Sequence, residues 1–163
     1  MKEIEGFVYN MGDDINTDDI VPSRILPLTN INDIVKYTLE NIDPLFIQKV
    51  EKMNIIVAGE NFGCGSSREE AVKVFKILGI RLIIAKSFAR IYFRNLINLG
   101  IPAIVLNWSE DDFSERDHIN INLENGIILN LTKNNDIKFE KLPDFLLDIL
   151  EQDGILNKLK RSL

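Results

Sequence analysis

Two hydroxyls and a guanidinium stand in succession at Ser66-Ser67-Arg68, inside the stretch Gly59-Glu60-Asn61-Phe62-Gly63-Cys64-Gly65-Ser66-Ser67-Arg68-Glu69-Glu70-Ala71. Glycines at 59, 63 and 65 allow sharp turns and let the backbone approach a ligand closely. Arginine grips a planar carboxylate with two parallel hydrogen bonds, and a helix start just beyond it adds unpaired N–H groups that attract anions. These residue types suit a carboxylate or phosphate with a hydroxyl close to it. A Walker-type phosphate loop is a poorer match, because no Lys follows a glycine as G-K-[ST] requires. The competing reading is structural: Ser67 with Glu70, or Ser66 with Glu69, fits the S-x-x-E capping box, worth about 1 kcal/mol. Capping accounts for one Ser–Glu pair and leaves the glycines, the second serine and Arg68 without a role.

Other groups could do chemistry. Asp13, Asp14, Asp18 and Asp19 are dense enough to suggest calcium, but no central Gly and closing Glu give the EF-hand spacing, and Asx turns explain them as well. Arg90 and Arg94 share a helix face; Arg94 reads as part of a solvated basic stripe, and Arg90, nearer the helix start, reads equally as part of that stripe or as a neighbour of the glycine loop. His118, the single histidine, opens an alternating strand far from that loop in sequence and is expected to be structural. Cys64 is the only cysteine, so no internal disulfide can form, and one thiol cannot hold an iron–sulfur cluster or a structural zinc.

Positioning these residues requires a particular order of elements. Residues 4–9 read as a first strand. Residues 21–30 contain two prolines and form a loop in which Ile25, Leu26 and Leu28 either tuck into the core or line a pocket. Helices are expected over 33–40, capped by Asn30 or Asn32, and after an Asp43 cap with Pro44 at the first position. Residues 54–58, 80–85 and 101–106 are continuous apolar strands separated by helices from Ala71 to Leu78 and from a Ser87 cap to Leu99, a pattern of parallel pairing. Ligands of such sheets bind beyond the strand C-terminal ends, where the glycine loop and Ser87-Phe88-Ala89-Arg90 lie. Residues 118–139 then alternate around Asn125-Gly126, a type I′ hairpin signal, as an antiparallel meander. A closing helix near Pro143 turns Phe145, Leu146, Ile149 and Leu150 inward, and a last turn follows Gly154. The expected class is α/β, a central mostly parallel βαβαβ unit with a C-terminal antiparallel meander, in one domain over 1–163.

With 163 residues, 45% of them hydrophobic, the chain can bury a core without staples. A net charge of −6 gives nucleic-acid binding no support. The N-terminal residues lack a signal peptide's apolar run and nothing approaches the roughly 20 apolar residues of a membrane span, so a cytoplasmic protein is expected.

Three segments together resemble the swivelling β/β/α domain of the aconitase superfamily: Gly12-Asp13-Asp14-Ile15-Asn16-Thr17-Asp18-Asp19-Ile20, the glycine loop through Glu69, and Ser87-Phe88-Ala89-Arg90-Ile91-Tyr92-Phe93-Arg94-Asn95. At this length the likeness is to the free-standing small subunits of 3-isopropylmalate dehydratase and of homoaconitase. The resemblance implies a large-subunit partner, in a heterodimer or heterotetramer, that holds a [4Fe-4S] cluster acting as Lewis acid on a departing hydroxyl. It implies dehydration and rehydration of a small hydroxy diacid, with Ser66 as base, Ser67 as oxyanion or carboxylate donor, Arg68 as carboxylate clamp and Asp18 as a further active-site residue. The departure is in the loop after Ser23. Where archaeal-type relatives carry Tyr-Leu-Arg-Thr or a near variant, this chain has Ile25-Leu26-Pro27-Leu28, which favours an alkyl-bearing malate over homocitrate. Citramalate-type and dimethylmalate-type substrates stay open, and Arg24 could swing in to restore a tricarboxylate preference. Two other classes remain beside the hydro-lyase. One is a non-catalytic anion-binding module, for which Lys86 is the only nearby phosphate ligand; the other is a purely structural partner whose serines only cap a helix.

Overall fold

The computed structural model describes residues 3–163. Strand β1 (Glu3–Asn10) alternates exposed and buried residues as far as Val8, while β2 (Ile55–Ala58) and β3 (Leu82–Ala85) are buried at every position and β4 (Ala103–Val105) at all but its last. Strands buried this continuously need cover on both sheet faces, which favours parallel pairing. β1 pairs parallel with β2, β2 with β3, and β3 with β4. On its other side β1 pairs antiparallel with β5 (His118–Asn122), and β6 (Ile127–Asn130) and β7 (Asn135–Lys138) continue the meander. One sheet results, in the order β4-β3-β2-β1-β5-β6-β7, with β1 as the seam between a parallel and an antiparallel half. The expected α/β architecture is thus the observed one.

Each face of the sheet has its own core. Tyr9, Ile56, Ile83 and Ala85 pack under the helices, with Phe46, Phe62, Phe75 and Leu96 fully buried among them. On the other face Ile55, Leu82 and Ile84 of the parallel half meet Ile119, Ile128 and Ile137 of the meander, so the sheet curls over that side. Helices α4 (Glu70–Ile77) and α5 (Arg90–Asn98) connect the parallel strands, and Tyr92, fully enclosed, donates its hydroxyl to the Ala71 carbonyl at 2.7 Å to lock one helix to the other. Among the described residues no helix is long and apolar enough to cross a membrane.

Several local expectations give way to tertiary packing. The helix expected over 33–40 is α2 (Ile31–Ile34), capped by Asn30, followed by a 3-10 turn, Val35–Tyr37. The helical run ends at Thr38, whose ψ is 122°, and Leu39 follows at φ 55°, burying its side chain and donating its N–H to the Ile20 carbonyl. Asp43 caps the turn through Pro44 and Leu45 as expected, its carboxylate accepting from Leu45 N–H at 3.0 Å, but that turn precedes the helix proper. Helix α3 (Phe46–Lys49) starts later, and the Asp43 carboxylate accepts from the Tyr9 hydroxyl at 2.6 Å, from Lys49 and from the Leu45 N–H. The Asn125-Gly126 connection is a four-residue turn, not type I′: only Gly126 has positive φ, and Leu123 is drawn into the core. In α6 (Asp144–Glu151) Ile149 and Leu150 are buried as expected, but Phe145 faces solvent. After Gly154 the chain forms a full helix, α7 (Ile155–Ser162), with none of its residues buried.

Candidate active site

The loops that leave β1, β2 and β3 at their C-terminal ends continue the order of the strands beneath them. Gly59 N–H donates to the Gly12 carbonyl, Asp14 N–H to Glu60, Gly63 N–H to Ile15 and Thr17 N–H to Cys64. On the other flank Phe62 N–H donates to Ser87, and Ala89 N–H returns to Phe62. The glycine loop is therefore held from both sides by backbone bonds, with isolated bridges at Asn16–Cys64 and Phe62–Phe88. Its tightness explains two of its glycines. A Cβ on Gly59 would lie 1.8 Å from Asp13 Oδ1, the atom that accepts from Glu60 N–H. Gly63 has φ 81°, and a Cβ there would meet the Tyr92 ring at 2.2 Å.

Helix α1 (Thr17–Ile20) brackets the loop. Asn16 and Asp19 form a complete capping box at its start, a device hidden within the aspartate cluster. Thr17, buried, donates its hydroxyl to the Ser66 carbonyl at 2.6 Å and so fixes the Ser66 peptide. Asp18 and the Val21 carbonyl take hydrogen bonds from Arg68 Nη1 at 3.2 and 2.8 Å, and Ser23 Oγ accepts from Nη2 at 3.2 Å. Ser23 also donates its hydroxyl and its N–H to Asp18. These Ser23 bonds, and then Arg68, hold the Asp18 carboxyl below its usual range, so Arg68 faces a permanent counter-charge. The Arg68 side chain is only 16% exposed, and the three bonds to its guanidinium set its aim before any ligand arrives.

The serines cap nothing. Helix α4 has Glu69 at its N-cap with no side-chain capping bond, so neither S-x-x-E box forms. Ser66 and Ser67 are exposed, and among the described residues the Ser66 hydroxyl has no partner. Ser87 is not the cap of α5 either: its hydroxyl accepts from Asn61 N–H and donates to Glu60, while Ala89 holds the N-cap position. Between α1, the glycine loop and the start of α5 lies a cavity of about 230 Å³, lined by Thr17, Ser67, Arg68, Arg90, Tyr92 and Asn95 with glycines 63 and 65. Ser66 stands beside this cavity and not in its wall, and Asp18 reaches it through Arg68.

The loop after Ser23 is arranged differently. Ile25 is 5% exposed and belongs to the core, Leu26 packs partly against it, and Leu28 is at the surface. Arg24 pairs with Glu40 and lies over the Tyr37 ring at 5.7 Å, and none of these residues lines the cavity. Lys86 lies over the Trp108 ring at 4.9 Å, and Trp108 Nε1 donates to the Ala58 carbonyl. Burial raises the Cys64 thiol, which therefore stays protonated at neutral pH. His118 is remote from the cavity, stacked on Phe7 at 4.6 Å and paired with Glu5. Thr17, Ser23 and Asn95 are participants that sequence reasoning did not single out. For Thr17 and Asn95 the only signal was their place within the two flanking segments.

This geometry has close counterparts. The aconitase C-terminal domain family matches over residues 15–108, a span that contains α1, the glycine loop and α5. The chain is 48% identical over 159 residues to the 3-isopropylmalate dehydratase small subunit 1 of Thermotoga maritima, covering 97% of this chain and 95% of the relative. It is 42% identical over 160 residues to the isopropylmalate/citramalate isomerase small subunit of Methanocaldococcus jannaschii, covering 98% and 95%. A crystal structure of 3-isopropylmalate dehydratase from M. jannaschii matches with a TM-score of 0.90 at 41% identity, over 98% of this chain and 95% of that one. With the fold and nearly the whole length matched, the chain belongs to the aconitase C-terminal domain family, among the small subunits of 3-isopropylmalate dehydratase.

Proposed function

We propose that this chain is the small subunit of a cytoplasmic hydro-lyase that interconverts 2-isopropylmalate and 3-isopropylmalate by dehydration and rehydration, in leucine biosynthesis. The observation that carries the reading is the pre-aimed Arg68 beside Ser67 and Ser66, at the strand edge where the three loops are tied together. In this reading Arg68 holds a substrate carboxylate, Ser67 donates to it, and Ser66 removes the proton from the carbon next to that carboxylate as the hydroxyl leaves the neighbouring carbon, then delivers a proton to that neighbouring carbon as water adds to the first. A serine needs help to act as a base, because an alkyl hydroxyl hardly ionises at neutral pH. Nearby cations and exclusion of water favour the alkoxide. The Thr17 bond to the Ser66 carbonyl holds the base in register with the clamp. Asp18 serves as the counter-charge that orients Arg68.

The residues of this chain do not fit a [4Fe-4S] cluster. Such clusters take thiolate ligands, and Cys64 is the single thiol. We assign the cluster to the large subunit, in keeping with the small-subunit names of the relatives. For the substrate's side chain, Arg24 is occupied by Glu40 and Tyr37 and offers no free cation, while Leu26 and Leu28 of the same loop are apolar and lie outside the cavity wall of this chain. This favours an alkylmalate over a tricarboxylate such as homocitrate. Citramalate is a second substrate to test, since the M. jannaschii relative carries it in its name. Reconstitution with the cognate large subunit, followed by the absorbance of the unsaturated acid from isopropylmalate, citramalate and homocitrate, decides the matter. Turnover that requires both chains and prefers isopropylmalate is the expected result. Preference for homocitrate would overturn the apolar-loop argument, and absence of both complex and turnover would return weight to an anion-binding module.

A further inference from the structure

Resting on the reading above, we infer that Arg90 is a second carboxylate contact, so that the two carboxylates of the substrate are held by two arginines of this one chain. Arg68 and Arg90 line the same cavity from different elements, the glycine loop and the first residue of α5. Their states are opposite. Arg68 spends its guanidinium on Asp18, Val21 and Ser23, whereas Arg90 is exposed and, among the described residues, has no hydrogen bond or ion pair. The cavity receives further positive potential from α5 itself. No side chain caps that helix, its first internal bond runs from Phe93 N–H to the Ala89 carbonyl, and the N–H groups of Arg90, Ile91 and Tyr92 precede it. In a chain of net charge −6, an unpaired guanidinium beside a helix start, lining the same small cavity as a fixed one, is placed to meet a second anionic group of the same ligand.

The division of labour follows from the anchoring. The Arg68 side sets where the reacting end of the substrate lies, because its geometry exists beforehand. Arg90 closes on the far carboxylate once the first is seated, so it contributes to binding alike in the ground and transition states. Loss of that contact raises KM and leaves kcat nearly unchanged.

The test uses the reconstituted two-subunit enzyme carrying Arg90→Ala, Arg90→Lys or Arg68→Ala, with the parent complex as reference. For Arg90→Ala the KM is expected to rise about tenfold to a hundredfold with kcat within about threefold, the loss of one charge-assisted contact. Arg90→Lys is expected to recover most of the affinity, and Arg68→Ala to lower kcat as well. Assembly is measured on the same samples by sedimentation. An unchanged KM in a fully assembled Arg90→Ala enzyme overturns the inference. So does weakened assembly with normal KM at saturating large subunit, which would make Arg90 a subunit contact. Failure of the parent complex to turn over would instead count against the proposed function itself.

Discussion

The parallel and antiparallel halves of the sheet share a strand, β1, yet their connections behave in opposite ways. In the meander each turn closes on itself: Gly126 N–H returns to Asn122 within the same hairpin, and Asn130 caps the next turn through Thr132 and Lys133. In the parallel half the strands are joined by long crossovers, so a loop at a strand end has no local partner for its backbone. The loops after β1, β2 and β3 satisfy one another instead, and positive φ is concentrated in the middle one, at Asn61, Gly63 and Gly65. A change in such a hairpin turn stays within the meander and does not reach the loops of the parallel half. A loop stitched to two others places side chains from three distant segments with the accuracy of a sheet, which is what a clamp and a base require.

The strongest way to sharpen this comparison is to remove one polar group from each half. Ser66→Ala is expected to lower kcat of the reconstituted enzyme by roughly a hundredfold to ten-thousandfold, the range for loss of a positioned base. Its melting temperature should match the parent, because the Ser66 hydroxyl holds nothing together. His118→Ala should do the reverse on a small scale. The stack on Phe7 and the pair with Glu5 are half exposed, worth about 1 kcal/mol at most, and turnover should be unaffected. A stability loss with normal turnover for Ser66→Ala would sink its assignment as base.

Glycine replacements probe the stitching itself. Gly63→Ala puts a Cβ into the Tyr92 ring at φ 81°, and should cost about 1–3 kcal/mol from backbone strain with a further clash contribution. Because Tyr92 joins α5 to α4 and lines the cavity, turnover should fall with stability. Gly126→Ala, at φ 69° with a Cβ 2.7 Å from the Phe139 carbonyl oxygen, should lose comparable stability while kcat stays at the parent value. Urea unfolding and steady-state kinetics on the same preparations separate the two. Equal kinetic effects in both variants would mean that the site depends on global stability alone.

How legible these features were depended on whether the signal was local. The strands were readable because burial on two faces leaves an unbroken apolar run, as in Ile55–Ala58 and Leu82–Ala85. The glycine loop was readable because Gly63 pays for its φ in the sequence itself. What could not be read was set by partners far along the chain. Ser87 has the composition of a helix cap, but Asn61 and Glu60 claim its hydroxyl. Asp19 belonged to an aspartate cluster open to either a calcium or an Asx-turn reading, and it joins Asn16 to cap α1, while Asp13 and Asp18 are engaged by the glycine loop. Ile25 and Leu28 look equivalent in an apolar run, and only the three-dimensional core separates the buried one from the exposed one.

The subtlest difference between the halves is electrostatic. The Asp18 carboxyl is held below its ordinary value of 3.8 by Ser23 and then Arg68. A depressed folded-state value means that the unfolded chain binds the proton more readily, so this contribution to stability is complete above the ordinary value and is lost as pH falls through the folded one. Asp18→Asn should therefore be less stable than the parent at neutral pH, and the two should converge as the pH falls through the acid range. The effect is small, since the side chain is 58% exposed and screened by water. Asp148, held low by Lys158 and Gln152 away from the cavity, provides the matched control. Asp148→Asn should show the same convergence in urea midpoints with turnover unchanged, whereas Asp18→Asn should also lower kcat because Arg68 loses its orienting charge. A gap for Asp18→Asn that stays constant down to acid pH would detach this carboxylate from the clamp.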